Sequence, residues 1–367
     1  MDIVPSVPDR IVALDVTRCI QAQQDRDWRF ASGGIPRLDG LIVTLRAASG
    51  AIGEGHVEAM AFYADDLAGS EAAVEVLRPV LIGGDPLHIA ELCDRCDAAL
   101  AGHEAVKAGV DGALHELAAR VLRVPLHVLF GGARRRSVAL QRILPLKDPA
   151  GMAADAARLA ALGYRCLKVK IDSDADLAEA RVRAVREAVG ERVRLSADAN
   201  QSYTPKSALR AIDRLARYGV DLVEQPVAAA DIAGLAFVTA RSQVSIEADE
   251  AVRSLGDVVT LISAGACDSF NLKTSVLGGL GKVFVAAQIC EAAGRAYRVG
   301  TAYGPRIVAA QCLHLAAALP SFHYPVELAE FDHLLDDPFI GLESVAGELA
   351  LPEGPGSGLP QRLPREP

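Results

Sequence analysis

The chain has 367 residues, of which 51% are apolar and 23% are charged, and its formal net charge is −9. This length suits one large domain or two smaller ones, and the acidic balance without a basic patch argues against nucleic acid as a partner. The start lacks a basic n-region and an apolar h-region, and no long apolar run comes after it. We therefore expect no signal peptide, no membrane span and a cytoplasmic location.

The first 130 residues predict an α+β capping domain. The runs IVALDVTRCI and DGLIVTLRAASGAIGEG are typical of antiparallel strands, and two segments with helical spacing come after them. Residues 336–367 end in a Gly/Pro-rich stretch that is too short to form a domain. We expect this C-terminal segment to pack on the cap.

Residues 131–335 alternate short β-branched runs with Ala/Leu-rich helical stretches. Eight such runs at even spacing favour a TIM-type barrel, whereas an open doubly wound sheet would carry a glycine-rich phosphate turn that is absent here. The runs are VALQRILPL (138–146), RCLKVKI (165–171), RVRLSADAN (192–200), LVEQPV (222–227), SIEADE (245–250), DSFNLKT (268–274), AYRVGTA (296–302) and YPVELAE (324–330).

Three carboxylates stand where consecutive barrel strands end. Asp198, Glu224 and Asp249 belong to the third, fourth and fifth runs. The carboxyl ends of the strands form the active-site face of a TIM barrel, so these groups converge there. Clustered carboxylates repel each other unless a cation joins them, and hard oxygen ligands suit Mg²⁺, with Mn²⁺ as the second choice.

Lysines flank the carboxylates on both sides. Lysine is scarce in this chain, yet Lys168 and Lys170 lie in the second run and Lys273 in the sixth. Lys168 and Lys170 share one strand face, so mutual repulsion and burial are expected to lower their pKa. A metal-bound carboxylate acidifies its α-carbon, and amines on opposite sides can then move that proton. A barrel aldolase with a Schiff-base lysine is the rival interpretation, but it needs no acidic triad.

These motifs resemble the enolase superfamily, in particular its muconate-lactonizing-enzyme subgroup, over essentially the whole chain. The resemblance rests on CLKVKI, LSADANQSY, LVEQPV, IEADE, SFNLKTSVLGGL and the junction DGALHELAARVLRVPLHVLFGG. It implies a modified (β/α)7β barrel under an α+β cap that the C-terminal tail completes. The residues to which it assigns roles are Asp198, Glu224 and Asp249 as Mg²⁺ ligands, Lys170 and Lys273 as acid/bases, Lys168 as the group that tunes Lys170, and Asn200 and Glu250 behind the ligands.

The resemblance leaves the reaction open. The mandelate-racemase subgroup uses a His on the seventh strand, and AYRVGTAYG has none. Two opposed lysines favour a racemase or epimerase of an amino-acid derivative. Cycloisomerisation of the muconate type, or dehydration of a hydroxy acid or hydroxyproline-like substrate, is the alternative on the same site. A non-catalytic binding protein on this fold is the alternative from another class.

Substrate contacts are the least determined feature. Related dipeptide epimerases end the eighth strand with Asp-x-Asp, whereas this chain reads ELAEF, so Glu327 either meets a cationic group of the substrate or pairs with an arginine. Trp28, His56, Arg298 and Tyr303 are further candidate contacts. We expect a small carboxylate substrate and a homo-oligomer.

Overall fold

A computed structural model describes residues 9–31, 33–60, 66–301, 303–320 and 322–360. The N-terminal part is the predicted α+β cap, a three-stranded antiparallel sheet of order β1-β4-β5 followed by three helices. Its elements are β1 (Ile11–Ala22), β2 (Arg29–Phe30), β3 (Gly33–Gly34), β4 (Arg37–Ala47), β5 (Ile52–Glu58), α1 (Leu67–Leu81), α2 (Ile89–Ala99) and α3 (Glu104–Leu122). The pair β2 and β3 forms a small hairpin between the long strands.

Glycines let β5 and α3 pack backbone against backbone. A Cβ on Gly53 would lie 2.1 Å from the carbonyl oxygen of Ala113, and one on Gly55 would lie 2.0 Å from that of Gly109. Carbon atoms do not approach backbone atoms so closely, so only glycine fits at these two positions. The contact fixes the carboxyl end of β5 against the helix.

The predicted barrel is confirmed: seven parallel strands form one curled sheet in chain order, with helices between successive strands. The strands are β7 (Arg142–Leu144), β8 (Cys166–Lys170), β9 (Arg194–Asp198), β10 (Val220–Glu224), β11 (Ser245–Ala248), β12 (Ser269–Lys273) and β13 (Ala296–Gly300). The helices are α4 (Pro149–Ala161), α5 (Ala175–Val189), α6 (Pro205–Ala216), α7 (Ile232–Thr239), α8 (Leu255–Ser263), α9 (Thr274–Leu277), α10 (Leu280–Ala292) and α11 (Arg306–Ala318).

Glycine ends three of these helices. Gly163, Gly219 and Gly294 come after α4, α6 and α10 with φ of 99°, 70° and 64°. This left-handed conformation is open to glycine at little cost and closes the last turn of a helix. Asp148 and Thr204 cap the starts of α4 and α6 by accepting backbone N–H groups.

The first and eighth barrel segments are shorter than expected. The first run divides into β6 (Ser137–Ala139), which lies outside the barrel sheet, and β7. The eighth run contributes only two isolated bridges, from Val326 to Leu140 and from Glu327 to Gly300, and these close the barrel. Pro325, directly before them, has no N–H to extend the ladder.

The tail contacts both parts of the molecule. Strands β14 (Ser344–Val345) and β15 (Glu348–Ala350) form a sheet with β6. Further on, Gly356 accepts a hydrogen bond from the backbone of Leu126, and Ser357 donates to Glu116 on α3.

Two further features concern the cysteines and the helices. All seven cysteines are free thiols. Within the residues that the structure describes, no helix is both long and apolar enough to cross a bilayer.

The close contact of β5 with α3 predicts that Gly55→Ala destabilises the protein by about 3 kcal/mol, because the new methyl group would displace the backbone of α3. The measurement is the shift in urea-induced unfolding. Gly256→Ala in α8 is the matched control, since its nearest neighbour would be 3.5 Å away. That variant should be neutral or slightly more stable, and an equal loss in both variants would contradict this account.

Candidate active site

The three predicted metal ligands lie together at the carboxyl ends of neighbouring strands. Asp198 ends β9, Glu224 ends β10 directly beside it, and Asp249 comes immediately after β11. All three are buried. The parallel register therefore brings these carboxylates to one face, as the sequence predicts.

Each of these carboxylates is paired with a lysine. The Nζ of Lys170 is 2.5 Å from Asp198, and the Nζ of Lys273 is 2.5 Å from Asp249. The Nζ of Lys168 is 2.9 Å from Glu224 and 3.5 Å from Asp198. Lys170 on β8 and Lys273 on β12 therefore approach the acidic row from its two ends.

The expected lowering of the lysine pKa is wrong for Lys168. Burial does act in that direction, but Glu224, Glu327 and Asp198 outweigh it and raise the pKa of Lys168 above its usual range. The repulsion from its strand neighbour is smaller than the attraction of carboxylates on the adjacent strands. Lys168 therefore stays charged and anchors the acidic row.

An ionic layer lies beneath the row. Arg298 is fully buried, and its Nη2 donates to Glu224 at 2.7 Å and also to Glu247. Glu327 pairs with Arg298 at 3.0 Å and with Lys168 at 2.6 Å. Of the two roles considered for Glu327, the structure displays the pairing with an arginine. Arg298 and Glu327 are thus part of the floor of the site.

The buried cluster carries more negative than positive charge. Its members are the carboxylates Asp198, Glu224, Glu247, Asp249, Glu250 and Glu327 and the cations Lys168, Lys170, Lys273 and Arg298. Fully ionised, these six acids and four bases leave two negative charges uncompensated. Burial, with Glu224 and Glu250 nearby, raises the pKa of Asp249 well above its usual range, and that of Glu247 rises to about 7.

One divalent cation would balance this excess, and the donors are the hard oxygens that Mg²⁺ prefers. Within the described ranges, no three acidic, His or Cys side chains are spaced as a finished metal site. Ammonium groups hold the outer carboxylates instead. The residues fit a divalent ion once Lys170 and Lys273 turn away from Asp198 and Asp249.

Asn200 and Gln225 hold the loops around the ligands. Asn200 accepts from Lys170 at 3.0 Å and donates to Glu250 at 3.2 Å, which places both predicted supporting residues beside Asp198. The side chain of Gln225 accepts from the backbone N–H of Asp249 at 2.9 Å. Both residues have positive φ, 39° and 36°, a strained conformation that occurs often at functional sites. Sequence reasoning assigns no role to Gln225, although it lies within the motif LVEQPV.

An aromatic wall covers the side of the site near β8. The indole of Trp28 donates to the hydroxyl of Tyr303 at 2.8 Å, and its ring lies 4.0 Å from that of His333. Phe30 places its ring 5.3 Å from the Nζ of Lys170. Trp28 and Tyr303 are therefore in this wall, as a substrate-binding role requires. His56 is buried, which lowers its pKa to about 3, and lines the seam between cap and barrel.

Two further buried carboxylates have no role assigned from the sequence. Glu58 at the end of β5 and Glu330 at the end of the eighth run are 2% and 1% exposed, and none of their oxygens accepts a hydrogen bond of normal geometry. Burial raises their pKa to about 8 and about 7. Glu58 stands in the segment GEGHVEAMAFY, but nothing in the sequence distinguishes it from a solvated glutamate.

A cavity of about 300 Å³ opens beside Lys273 and Asp249. Arg253 and Glu250 line its barrel side, and residues 102–105 at the start of α3 line its cap side. Space of this kind next to an acid/base pair suits a small substrate.

Comparison with known protein families shows to which family the chain belongs. Residues 15–131 match the mandelate racemase/muconate lactonizing enzyme N-terminal domain, and residues 151–362 match the enolase C-terminal domain-like family. The second match covers more than half of the chain. The chain belongs to the mandelate racemase/muconate lactonizing enzyme family. The resemblance to the enolase superfamily is thereby confirmed, while the domain limits 1–130, 131–335 and 336–367 remain predictions.

Several family members are similar over most of their length. The chain is 35% identical to a hydrophobic dipeptide epimerase of Enterococcus faecalis, over 79% of this chain and 82% of that protein. It is 34% identical to a chloromuconate cycloisomerase of Cupriavidus necator, over 79% and 81%. These relatives are isomerases, which confirms the predicted enzyme class.

Solved structures give the same result. The crystal structure of a dipeptide epimerase from Enterococcus faecalis, complexed with Mg and the dipeptide L-Leu-L-Tyr, matches with a TM-score of 0.92 at 32% identity. The match covers 96% of this chain and 100% of that chain. In the present chain, the seventh barrel strand, β13, carries Arg298 and no histidine, as expected outside the mandelate-racemase subgroup.

The raised pKa of Glu330 predicts a pH-dependent effect of Glu330→Gln. The folded protein holds a proton on Glu330 up to a pH of about 7, whereas the unfolded chain releases it near 4.5, so Glu330 destabilises the fold increasingly over that interval. In EDTA, the free energy of unfolding of the glutamine variant should exceed that of the wild type by an amount that grows between these two pH values. The difference should reach about 3 kcal/mol and stay constant at higher pH.

The measurement is urea unfolding of both proteins at several pH values, with exposed Glu343→Gln as the control. A stability difference that does not change with pH would contradict the assignment.

Proposed function

We propose that the chain is a Mg²⁺-dependent racemase or epimerase that exchanges the proton on the carbon next to a substrate carboxylate. The observation that carries this proposal is the placement of two amines at opposite ends of one acidic row, Lys170 from β8 and Lys273 from β12. Two such groups can remove a proton from one face of a carbon and return it to the other.

Asp198, Glu224 and Asp249 are the residues that would hold the metal. Bound there, Mg²⁺ would neutralise the charge that develops on a substrate carboxylate as its α-proton leaves. Mn²⁺, which accepts the same oxygen ligands, is proposed as a substitute. Glu224 is already fixed from below by Arg298 and Lys168, so one ligand is oriented before any ion arrives.

The lysines have different parts in this proposal. Lys168 stays charged and holds Glu224 and Glu327. Lys170 and Lys273 each contact an outer carboxylate and become available as acid/bases when that contact is given up. Asn200 keeps Lys170 in place throughout, because its amide oxygen is a second acceptor at 3.0 Å.

The proposed substrate is a small carboxylate, in the first place an amino-acid derivative such as a dipeptide. The dipeptide epimerases among the relatives support this choice. The occupied Glu327 weakens it, because that carboxylate is engaged by Arg298 and Lys168 and so is not open to a substrate ammonium. This observation favours muconate-type cycloisomerisation as the second candidate, with dehydration of a hydroxy acid after it. A homo-oligomer in the cytoplasm remains a prediction.

Lys170→Ala and Lys273→Ala should each lower epimerisation by about 10³-fold, because a two-base reaction needs both amines. Each variant should still exchange the α-proton of one stereoisomer with solvent, and the two variants should act on opposite stereoisomers. The measurement is ¹H NMR in D₂O with Mg²⁺ and L-Leu-L-Tyr in a panel of dipeptides and N-acyl amino acids.

Exposed Lys206→Ala is the matched control and should keep full activity. Full activity in either site variant would refute the two-base proposal. Turnover of cis,cis-muconate without α-proton exchange of any amino-acid derivative would favour the cycloisomerase.

Removal of the metal should stop turnover completely. After dialysis against EDTA the wild type should be inactive, Mg²⁺ should restore activity, and Mn²⁺ should replace it at least in part. Asp249→Asn should weaken Mg²⁺ binding by at least about tenfold, because it removes a charged ligand from the row. Calorimetric titration measures the affinity, and an active EDTA-treated enzyme would contradict the proposal.

A further inference from the structure

Glu58 is a buried carboxylate without a well-formed hydrogen bond at the boundary between cap and barrel. It ends β5 of the cap, is 2% exposed, and neither oxygen accepts a hydrogen bond of normal geometry. A buried carboxylate in this state costs folding free energy. The residues around Glu58 therefore indicate its role.

The neighbours of Glu58 belong to the segment that carries Lys273. Glu58 lines a cavity of about 10 Å³ between cap and barrel, together with Ser275 and Tyr303. Burial raises the pKa of Glu58, while the nearby hydroxyl of Ser275 and the positive charge of Lys273 act to lower it. Glu58 therefore lies across the cap–barrel boundary from the segment of Lys273, with Thr274 and Ser275 in the same cavity wall.

Lys273 has to change partners if Asp249 is to bind a metal. Its ammonium group is 2.5 Å from Asp249. On the opposite side of the site, Lys170 has a second acceptor, Asn200, that is independent of Asp198. Glu58 is placed to serve Lys273 in the same way.

We propose that Glu58 is a positioning residue that receives the ammonium group of Lys273 when Asp249 turns to the metal. This inference rests on the proposed function, since it needs Mg²⁺ at Asp249. With the ammonium group beside it Glu58 is ionised, so it compensates the charge of Lys273 from the cap side and thereby lowers the free energy needed to release Asp249. The cap then contributes to metal affinity without supplying a ligand.

The packing keeps Glu58 at a fixed place relative to the barrel. Helix α3, against which β5 packs, accepts a hydrogen bond from the backbone of Leu280 through Asp111 at 2.6 Å. The side chain of Gln311 on α11 donates to the backbone of Glu54 at 2.8 Å. Cap strand and barrel helices are thus tied together on both sides of the cavity.

The test is Mg²⁺ affinity in a double-mutant cycle, measured by calorimetric titration without substrate. The proteins are the wild type, Glu58→Gln, Lys273→Met and the double variant. Glu58→Gln should weaken Mg²⁺ binding by about tenfold in the wild type, because Lys273 then stays on Asp249. With Met at position 273 the same change should weaken it by less than about twofold, because there is no ammonium group to receive.

Two results would overturn the inference. Equal weakening in both backgrounds would mean that Glu58 attracts the ion directly, and no weakening in either would mean that it only fills the cavity. Glu330→Gln is the matched control, because Glu330 is an equally buried carboxylate. Its effect on Mg²⁺ affinity should be the same with Lys and with Met at position 273. Thermal unfolding confirms that each variant is folded. If the wild type binds no Mg²⁺, the proposed function itself fails.

Discussion

The structure depends on the compensation of buried charge at the carboxyl ends of the barrel strands. Neighbouring parallel strands deliver acidic side chains to the same face, where water cannot solvate them. Such a group is stable only if cations are delivered to the same place. Strands β8, β12 and β13 do this with Lys168, Lys170, Lys273 and Arg298, and the remaining negative charge is what one divalent ion would balance.

The same electrostatics produces a rigid floor and an adjustable surface. In the layer beneath the acidic row, Arg298 and Lys168 each contact two or more carboxylates. Breaking any one of these contacts would leave a buried charge poorly compensated. Above, Lys170 and Lys273 each contact one outer acid, and a cavity opens beside Lys273. Burial depth, more than residue type, therefore separates the lysine that anchors the carboxylates from the two lysines proposed as acid/bases.

The placement of side chains at strand ends can be predicted from the sequence alone. Asp198, Glu224 and Asp249 are found because parallel strands end on one face, and that rule needs no coordinates. The pKa of Lys168 is misjudged because its strand neighbour is visible in the sequence, whereas the carboxylates on adjacent strands are not. Glu58 escapes prediction for a related reason, since its burial is a property of packing between two domains. The shortness of the eighth strand likewise depends on how the barrel closes.

Closure of the barrel by two isolated bridges has a consequence for dynamics. A single bridge joins the eighth segment to each of its neighbours, whereas ladders of two to five residue pairs join the other strands, so local opening costs less at this seam. We therefore expect the amide groups around Val326 to be less protected from hydrogen exchange than those of β9 and β10. The strand β15 pairs with β6 at the start of this seam. Loss of β15 would therefore loosen the barrel without altering the charged groups at its active-site face.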